Sequence, residues 1–222
     1  MGKIVLYGLD PSPPVRSVLL TLNALDLSYE YKIVDIFDQG NRTEEYLKIN
    51  PAGTVPALLD DGHAISDSHA INAYLASKYG KDDSLYPKDL LKRAVVDHRL
   101  YFDTGVVFER ALRATTLPIF LNNETDVPQK KIDEIAEVYA TVNKFLDDHP
   151  YVAGDNLTIA DLSLISSIST LQVYLESDAV NYPNLFAWIK RLEQLPYYEE
   201  ANGKGLKQLT DMLKEKNIKI VP

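Results

Sequence analysis

The sequence contains no cysteine among its 222 residues, and this absence excludes several kinds of chemistry. Disulfide bonds, thiolate catalysis, and zinc or iron–sulfur sites with cysteine ligands all need a residue that the chain does not have. A transition-metal site is also not expected, because the four histidines have no His-x-x-x-His spacing. Any thiol chemistry of this protein therefore uses the sulfur of another molecule. The histidines are His63, His69, His98 and His149.

Positive charge and long apolar runs are both scarce. Lys and Arg number 23 against 32 Asp and Glu, which gives a net charge of −9. An acidic chain without a basic cluster is poorly suited to displace the counterions of a nucleic acid. No apolar stretch approaches the ~18 residues of a membrane span, and the first apolar run is too short for a secretory signal. We therefore expect a folded cytoplasmic protein with neither a nucleic acid nor a membrane as partner.

Residues 1–80 carry the patterns of strands and helices in alternation. A short apolar run, a stretch with helical spacing and an alternating stretch follow one another, which predicts a β-α-β unit. Asp61-Gly62 is a turn pair typical of a β-hairpin, and the stretch after Asp67 predicts a further helix. These elements together predict a small α/β domain. The predicted strands cover 3–7, 29–35, 57–59 and 63–65, and the predicted helices cover 13–25 and 70–79.

A polar connector at 81–88 leads into a region with a different pattern. Residues 89–222 show only helical periodicity between Leu90 and Met212, which predicts an all-α helical bundle. Thr158 and Asp161 have the spacing of a capping box, so we expect a buried helix to begin there and to run to about Tyr174. The chain is thus expected to form two lobes.

Short motifs follow one another in an order that is more specific than any single motif. The order and spacing resemble those of the cytosolic glutathione S-transferases, over essentially the whole chain, and in particular those of the insect epsilon (delta/epsilon) class. The family motifs are Leu6-Tyr7-Gly8, Ser12-Pro13-Pro14-Val15-Arg16, the segment 50–58 with Thr54-Val55-Pro56, Asp67-Ser68-His69-Ala70-Ile71, and the segment 157–161. The motifs similar to the epsilon class are Ser-Pro-Pro-Val-Arg and the segments 84–89 and 195–203.

The resemblance carries expectations about fold and function. It implies a thioredoxin-like α/β N-terminal domain with a mixed four-stranded sheet, followed by an all-α helical C-terminal domain that contributes the hydrophobic substrate pocket. It implies a transferase that joins the glutathione thiolate to a hydrophobic electrophile, with a role in detoxification and xenobiotic metabolism. It also implies that the protein is cytoplasmic and forms a homodimer. Glutathione is then a co-substrate, with no tightly bound cofactor, and the same thiolate would serve peroxide reduction or isomerisation. The alternative is a weakly catalytic or non-catalytic carrier of apolar ligands on this fold.

Ser12 is the candidate for thiolate stabilisation. A free thiol is mostly protonated at neutral pH, so the catalytic task is to stabilise its anion. Ser12 lies where the first strand gives way to the first helix, and Pro13 suits the first helical position, so a sulfur there would face the positive end of a helix. From the residues alone an ordinary helix cap is the simpler interpretation. The resemblance instead makes Ser12 a hydrogen-bond donor to sulfur.

The resemblance assigns the other glutathione contacts to three segments. In it Pro56 follows a cis peptide bond, which lets the backbone of Val55 pair with the cysteinyl backbone of glutathione. Asp67 and Ser68 begin a helix whose amides suit the γ-glutamyl carboxylate. The residues implied to bind glutathione are Ser12, Asn41, Gly53, Thr54, Val55, Pro56, Asp67, Ser68 and His69.

This chain departs from the epsilon class at two of those positions. The class usually has a histidine before Thr-Val-Pro and another in the preceding loop, where this chain has Gly53 and Asn41. The glycyl end of glutathione thus loses imidazole partners, and we expect binding weaker by ~1–3 kcal/mol, partly offset by Asn41 and the Gly53 backbone. Restoring the side chain with Gly53→His is expected to tighten binding.

The electrophile pocket is expected between the lobes. Residues spaced by three and four lie on one face of a helix in the second lobe, although such a stripe is more often plain core. Arg110 or Arg113 of the same helix is expected to approach glutathione, and periodicity leaves open which of them faces inward. The expected pocket residues are Pro11, Phe37, Phe108, Ala111, Leu112, Thr115 and Ile119.

Overall fold

A computed structural model describes residues 3–222 of the chain. Its N-terminal lobe contains a mixed four-stranded sheet in the order β2-β1-β3-β4. The first two strands are parallel, as a β-α-β unit requires, and the other neighbours are antiparallel. This confirms the sheet that the resemblance implies. The strands are β1 (Ile4–Gly8), β2 (Glu30–Ile33), β3 (Ala57–Asp60) and β4 (His63–Ser66).

Three helices and one short 3₁₀ turn complete this lobe. Residues 15–22 of helix α1, the polar ones included, are all buried, and Val15 and Val18 are fully so. Helix α1 packs against α3 in its own lobe and also against the second lobe. The elements are α1 (Pro13–Ala24), the 3₁₀ turn Gly40–Arg42, α2 (Glu44–Ile49) and α3 (Ser68–Tyr79).

The second lobe is built around a helix that is buried on every side. All residues of this helix, α7, are buried, so it passes through the centre of the bundle, and it ends at Leu171 rather than near Tyr174. The helices are α4 (Leu90–Phe102), α5 (Ala114–Leu121), α6 (Gln129–Phe145), α7 (Ile159–Leu171), α8 (Pro183–Leu192) and α9 (Lys204–Glu215). Two π-helical segments, Asp103–Arg113 and Glu199–Gly203, run directly into α5 and α9.

The sequence predicted only helices in this region, but the structure also has a small two-stranded ribbon. Strands β5 (Asp126–Pro128) and β6 (Lys219–Val221) pair in parallel. Three residues are too few to show an alternating pattern, and the partner strand lies at the far end of the chain. The ribbon therefore left no signal in the local sequence.

The capping box at the start of α7 is confirmed. The Asp161 carboxylate accepts hydrogen bonds from the Thr158 backbone amide at 2.9 Å and from the Thr158 hydroxyl at 3.0 Å. One continuous apolar core runs from the sheet through α1 and α7 into the bundle. Within residues 3–222 no helix is long and apolar enough to cross a membrane.

Candidate functional site

A cavity of about 740 Å³ lies between the two lobes. The N-terminal lobe contributes the start of α1, the loop that carries the 3₁₀ turn, the segment before β3 and the start of α3. The second lobe contributes the π-helical segment, α5 and one side of α7. Every residue that the resemblance assigns to glutathione lines this cavity: Ser12, Asn41, Gly53, Thr54, Val55, Pro56, Asp67, Ser68 and His69.

Ser12 occupies the N-cap position of α1, but its hydroxyl does not cap the helix. Its backbone carbonyl accepts from the Arg16 amide at 3.0 Å, so the helix begins there, and prolines fill the first positions. The side chain lines the cavity and is half-buried. The hydroxyl is thus available to donate to an anion, at the positive end of a helix.

The segment before β3 presents backbone to the cavity. The Val55–Pro56 peptide bond is cis, as the resemblance implies. The Thr54 carbonyl accepts hydrogen bonds from the Asn50 side-chain amide at 2.7 Å and from the Tyr46 hydroxyl at 2.6 Å, which hold the segment in place. Within residues 3–222 the backbone groups of Val55 form no hydrogen bond with the rest of the chain. They are therefore free to pair with an extended ligand.

The start of α3 forms the next part of the wall. Asp67 has a positive φ of 74°, and its Oδ1 accepts from the amides of His69 at 2.9 Å and Ala70 at 3.1 Å. Ser68 begins the helix and is buried. Asp67 thus caps the helix while also lining the cavity, as one residue at a helix start can do.

His69 joins the two lobes. Its Nε2 lies 3.1 Å from Asp103 Oδ2 and 2.6 Å from Ser163 Oγ, and its Nδ1 lies 2.8 Å from Thr104 Oγ1. Burial lowers the pKa of His69, but the hydrogen bond and charge of Asp103 and the charge of Asp67 outweigh it, so the net shift of the pKa is upward. The ring lies in the cavity wall with both nitrogens engaged by protein groups. His69 therefore ties the two lobes together at the cavity wall.

Asn41 and Gly53 meet in another part of the cavity wall. The Asn41 side-chain amide donates to the Gly53 carbonyl at 2.7 Å. Gly53 has a positive φ of 62°, and a Cβ at this position would lie 2.5 Å from Nη1 of Arg42. Arg42 lines the cavity as well. The sequence motifs did not point to Arg42, because it lies in a loop outside them.

The apolar wall agrees with expectation only in part. Pro11, Phe37, Phe108 and Leu112 line the cavity, and the centre of the Phe37 ring lies 5.7 Å from that of the Phe120 ring, which also lines it. Three expected residues do not line it and are instead buried core residues: Ala111, Thr115 and Ile119.

The π-helical segment explains this difference. Each of its turns contains more than the 3.6 residues that the predicted spacing assumes. The residues that point at the cavity are therefore not those that a regular α-helix would place there. The residues of the π-helical segment and α5 that line the cavity are Asp103, Thr104, Phe108, Glu109, Leu112, Arg113, Thr116, Leu117, Phe120 and Leu121.

The two arginines of the π-helical segment point in different directions. Arg110 pairs with Glu137 of α6 at 2.6 Å. Arg113 lines the cavity and pairs with Glu109 at 2.6 Å. The arginine that faces the cavity is therefore Arg113.

Comparison with known proteins places this cavity in a family context. The family model described as "Glutathione S-transferase, N-terminal domain" matches residues 6–83, and the corresponding C-terminal domain model matches residues 115–202. "Glutathione S-transferase 1" of Manduca sexta is 40% identical, over 96% of this chain and 98% of the relative.

Two solved structures share a higher sequence identity with this chain. An epsilon-class glutathione S-transferase from the housefly, Musca domestica, is 58% identical with a TM-score of 0.97, over 98% of this chain and 100% of the other. A glutathione transferase homologue from Drosophila mojavensis, solved with bound glutathione, is 57% identical with a TM-score of 0.96, over 100% of both chains.

Proposed function

The chain belongs to the glutathione S-transferase family, and on that premise we propose how its own residues bind and activate glutathione. It is a transferase that uses glutathione as co-substrate. Its resemblance to the insect epsilon class is confirmed by the housefly enzyme. The single observation that carries the proposal is the Ser12 hydroxyl, which lines the cavity and is not used to cap α1.

Ser12 stabilises the glutathione thiolate. A hydroxyl that donates to sulfur, at the positive end of α1, favours the anion over the thiol. The thiol proton leaves to solvent, and the thiolate attacks the electrophilic carbon to form a carbon–sulfur bond. In a substitution the carbon's bond to the leaving group breaks and the group departs with the electron pair; in an addition the π electrons move to the neighbouring atom, which takes a proton from solvent. Ser12 remains a hydrogen-bond donor throughout and is not itself a nucleophile.

The rest of glutathione lies along the segment before β3. The Val55 backbone pairs with the cysteinyl backbone in the manner of an added strand. The γ-glutamyl carboxylate lies at the amide and hydroxyl of Ser68, because Asp67 already caps the next two amides of α3, and Asp67 lies close to the ammonium. Asn41 and Gly53 lie at the glycyl end. This arrangement brings the sulfur to Ser12.

A hydrophobic electrophile occupies the part of the cavity that the second lobe supplies. Phe37, Phe108, Leu112 and Phe120 offer apolar and aromatic surface there. Such a wall selects for apolar groups and excludes water from the reacting sulfur. The biological role that fits this surface is detoxification of xenobiotic compounds in the cytoplasm.

Substitution of Ser12 tests the proposal. In Ser12→Ala we expect kcat/KM toward a generic aromatic electrophile to fall ~10- to 100-fold, the equivalent of a hydrogen bond to a charged group. The pKa of bound glutathione, followed by thiolate absorbance, should rise by ~1–2 units. Ser77→Ala, an exposed serine of α3, is the matched control. A wild-type rate as negligible as that of Ser12→Ala would favour the carrier of apolar ligands instead.

A second copy of the chain is the proposed partner. Helix α4 exposes Leu90, Leu91 and Tyr101, which are 81%, 76% and 75% exposed. Leu90 and Tyr101 are eleven positions apart and so share a face of the helix. A homodimer through α4 would bury this face. Sedimentation should give twice the chain mass for the wild type and a lower mass for Tyr101→Glu.

A further inference from the structure

We propose that Arg42 binds the glycyl carboxylate of glutathione and occupies the space that a side chain at position 53 would otherwise take. The inference rests on the proposed function, because it deepens the description of the same site. It makes Arg42 a determinant of glutathione affinity in a chain that lacks the usual imidazole partners.

The position of Arg42 depends on the absence of a side chain next to it. Arg42 ends the 3₁₀ turn, and its guanidinium lies over Gly53, where a Cβ would approach Nη1 to 2.5 Å and Cζ to 3.0 Å. Gly53 also takes a positive φ, which suits glycine. The Asn41 side chain bonds to the Gly53 carbonyl at 2.7 Å and ties the turn to this segment. The guanidinium is exposed and lies at the wall of the cavity, next to the Gly53 backbone.

The strand register places the glycyl end of the ligand at this position. Ala57 of β3 pairs with Ser66 of β4, which directly precedes the start of α3. A tripeptide that pairs with Val55 and reaches α3 with its γ-glutamyl end runs along residues 53 to 57. Its third residue then lies beside Gly53, two positions or roughly 7 Å from Val55. Arg42 is the cation at that end.

Charge at the cavity wall points to the same residue. Among the lining residues that the structure describes, Arg42 and Arg113 are the arginines, and lysine is absent from the wall. Arg113 is already paired with Glu109 at 2.6 Å. Arg42 has no carboxylate within ion-pair distance in residues 3–222. Glutathione brings two carboxylates, and the second needs a cation after the first has taken the Ser68 amide at the start of α3.

Arg42→Gln tests whether the positive charge of Arg42 contributes to glutathione binding. We expect the KM for glutathione to rise by about two- to five-fold with little change in kcat, since an exposed guanidinium supplies binding that is equal in ground and transition states. Arg42→Lys should keep part of the affinity. Lys48→Gln is the matched control, because Lys48 is an exposed cation of α2 outside the cavity.

A ligand change separates the proposed contact from general electrostatics. Glutathione with its glycyl carboxylate converted to an amide should bind more weakly than glutathione to the wild type. In Arg42→Gln the two ligands should bind almost equally. Equal discrimination in wild type and variant, or an unchanged KM in Arg42→Gln, overturns the assignment. Either result leaves the role of Ser12 standing, because that role is measured by thiol pKa and by Ser12→Ala.

Gly53→His tests whether Arg42 needs the space that the missing side chain of Gly53 leaves. The sequence alone suggests that this substitution tightens glutathione binding, but the new Cβ would push the flexible Arg42 guanidinium away from its position, and the histidine would have to adopt a strained φ. We therefore expect the KM for glutathione to rise in Gly53→His. A lower KM with Arg42 still present would show that the guanidinium does not serve the glycyl end.

Discussion

His69 shows how one side chain can connect the cavity wall to the stability of the whole chain. Its ring contacts Asp103, Thr104 and Ser163, all of which belong to the other lobe. The buried Asp103 carboxylate favours the charged imidazolium, so folding raises the pKa of His69. The protonated ring is therefore bound more strongly in the folded state than in the unfolded state.

The pH dependence of stability should reveal this contact. Because the folded-state pKa lies above the ordinary value of about 6.5, the stabilisation is complete below that pH and is lost as pH rises through the folded-state pKa. We expect the urea midpoint of the wild type to fall more between about pH 6 and pH 9 than that of His69→Gln. His63→Gln, an exposed histidine of β4, is the control. Parallel pH profiles for His69→Gln and the wild type would contradict the assignment.

The site residues that sequence could predict lie at the boundaries of elements. Ser12 and Asp67 precede helices, where a polar residue has a recognisable role, and the family motif supplied Val55. Arg42 and Asp103 gave no such signal. The Arg42 guanidinium can lie at the cavity because Gly53, eleven residues later, has no side chain. Asp103 contacts His69 only because the two lobes pack together.

At the scale of elements, α7 depends on the carboxylate at its start. Asp161 is fully buried and accepts from Thr158 twice, from the Val152 amide at 2.9 Å and from the Trp188 indole at 2.9 Å. These bonds begin the central helix and attach two neighbouring segments to it. Replacing the acceptor leaves several buried donors without a partner.

Asp161→Asn should therefore be strongly destabilising despite its similar shape. The amide brings a donor to a site that needs acceptors, and we expect the free energy of unfolding to fall by ~2–4 kcal/mol. Urea denaturation followed by circular dichroism measures this. Asp155→Asn, an exposed carboxylate near His149, should change it by less than ~0.5 kcal/mol. A comparable loss in both variants would argue against a special role of the capping network.

Periodicity predicted most elements because their apolar residues repeat at the spacing of a regular helix or strand. The sheet, α1, α3 and the start of α7 all follow this rule. The π-helical segment does not, and it displaced the predicted wall residues Ala111, Thr115 and Ile119 into the core. The β5–β6 ribbon could not be predicted either, because its pairing depends on contacts between distant parts of the chain.

At the scale of the whole molecule, Arg16 connects the lobes from inside. This residue of α1 is fully buried, and its guanidinium donates to Ser166 and Thr170 of α7 and to Asn202 of the second π-helical segment. Burial lowers the pKa of Arg16 to about 9, partly offset by Tyr198, so the side chain remains charged at neutral pH. The fold thus keeps a charge at the junction between its lobes, held by neutral acceptors.

Removing this guanidinium should weaken both lobes together. Arg16→Leu leaves buried acceptors on α7 and beside α9 unpaired, and we expect a loss of about 3 kcal/mol in the free energy of unfolding. Arg16→Lys should recover little, because an ammonium cannot reproduce the planar fork. Urea denaturation followed by both circular dichroism and tryptophan fluorescence tests this. A loss below ~1 kcal/mol would mean that apolar packing alone holds the lobes.

The wide turns of Asp103–Arg113 have a consequence for engineering the substrate range. A helical wheel drawn for an ideal α-helix selects Ala111, Thr115 and Ile119 for randomisation, and a library built on it would mostly yield unfolded protein. Diversity belongs instead at Glu109, Thr116 and Leu117, which line the cavity and are not fully packed in the core. A deletion within Asp103–Arg113 that restored regular turns would change which side chains of this segment face the cavity.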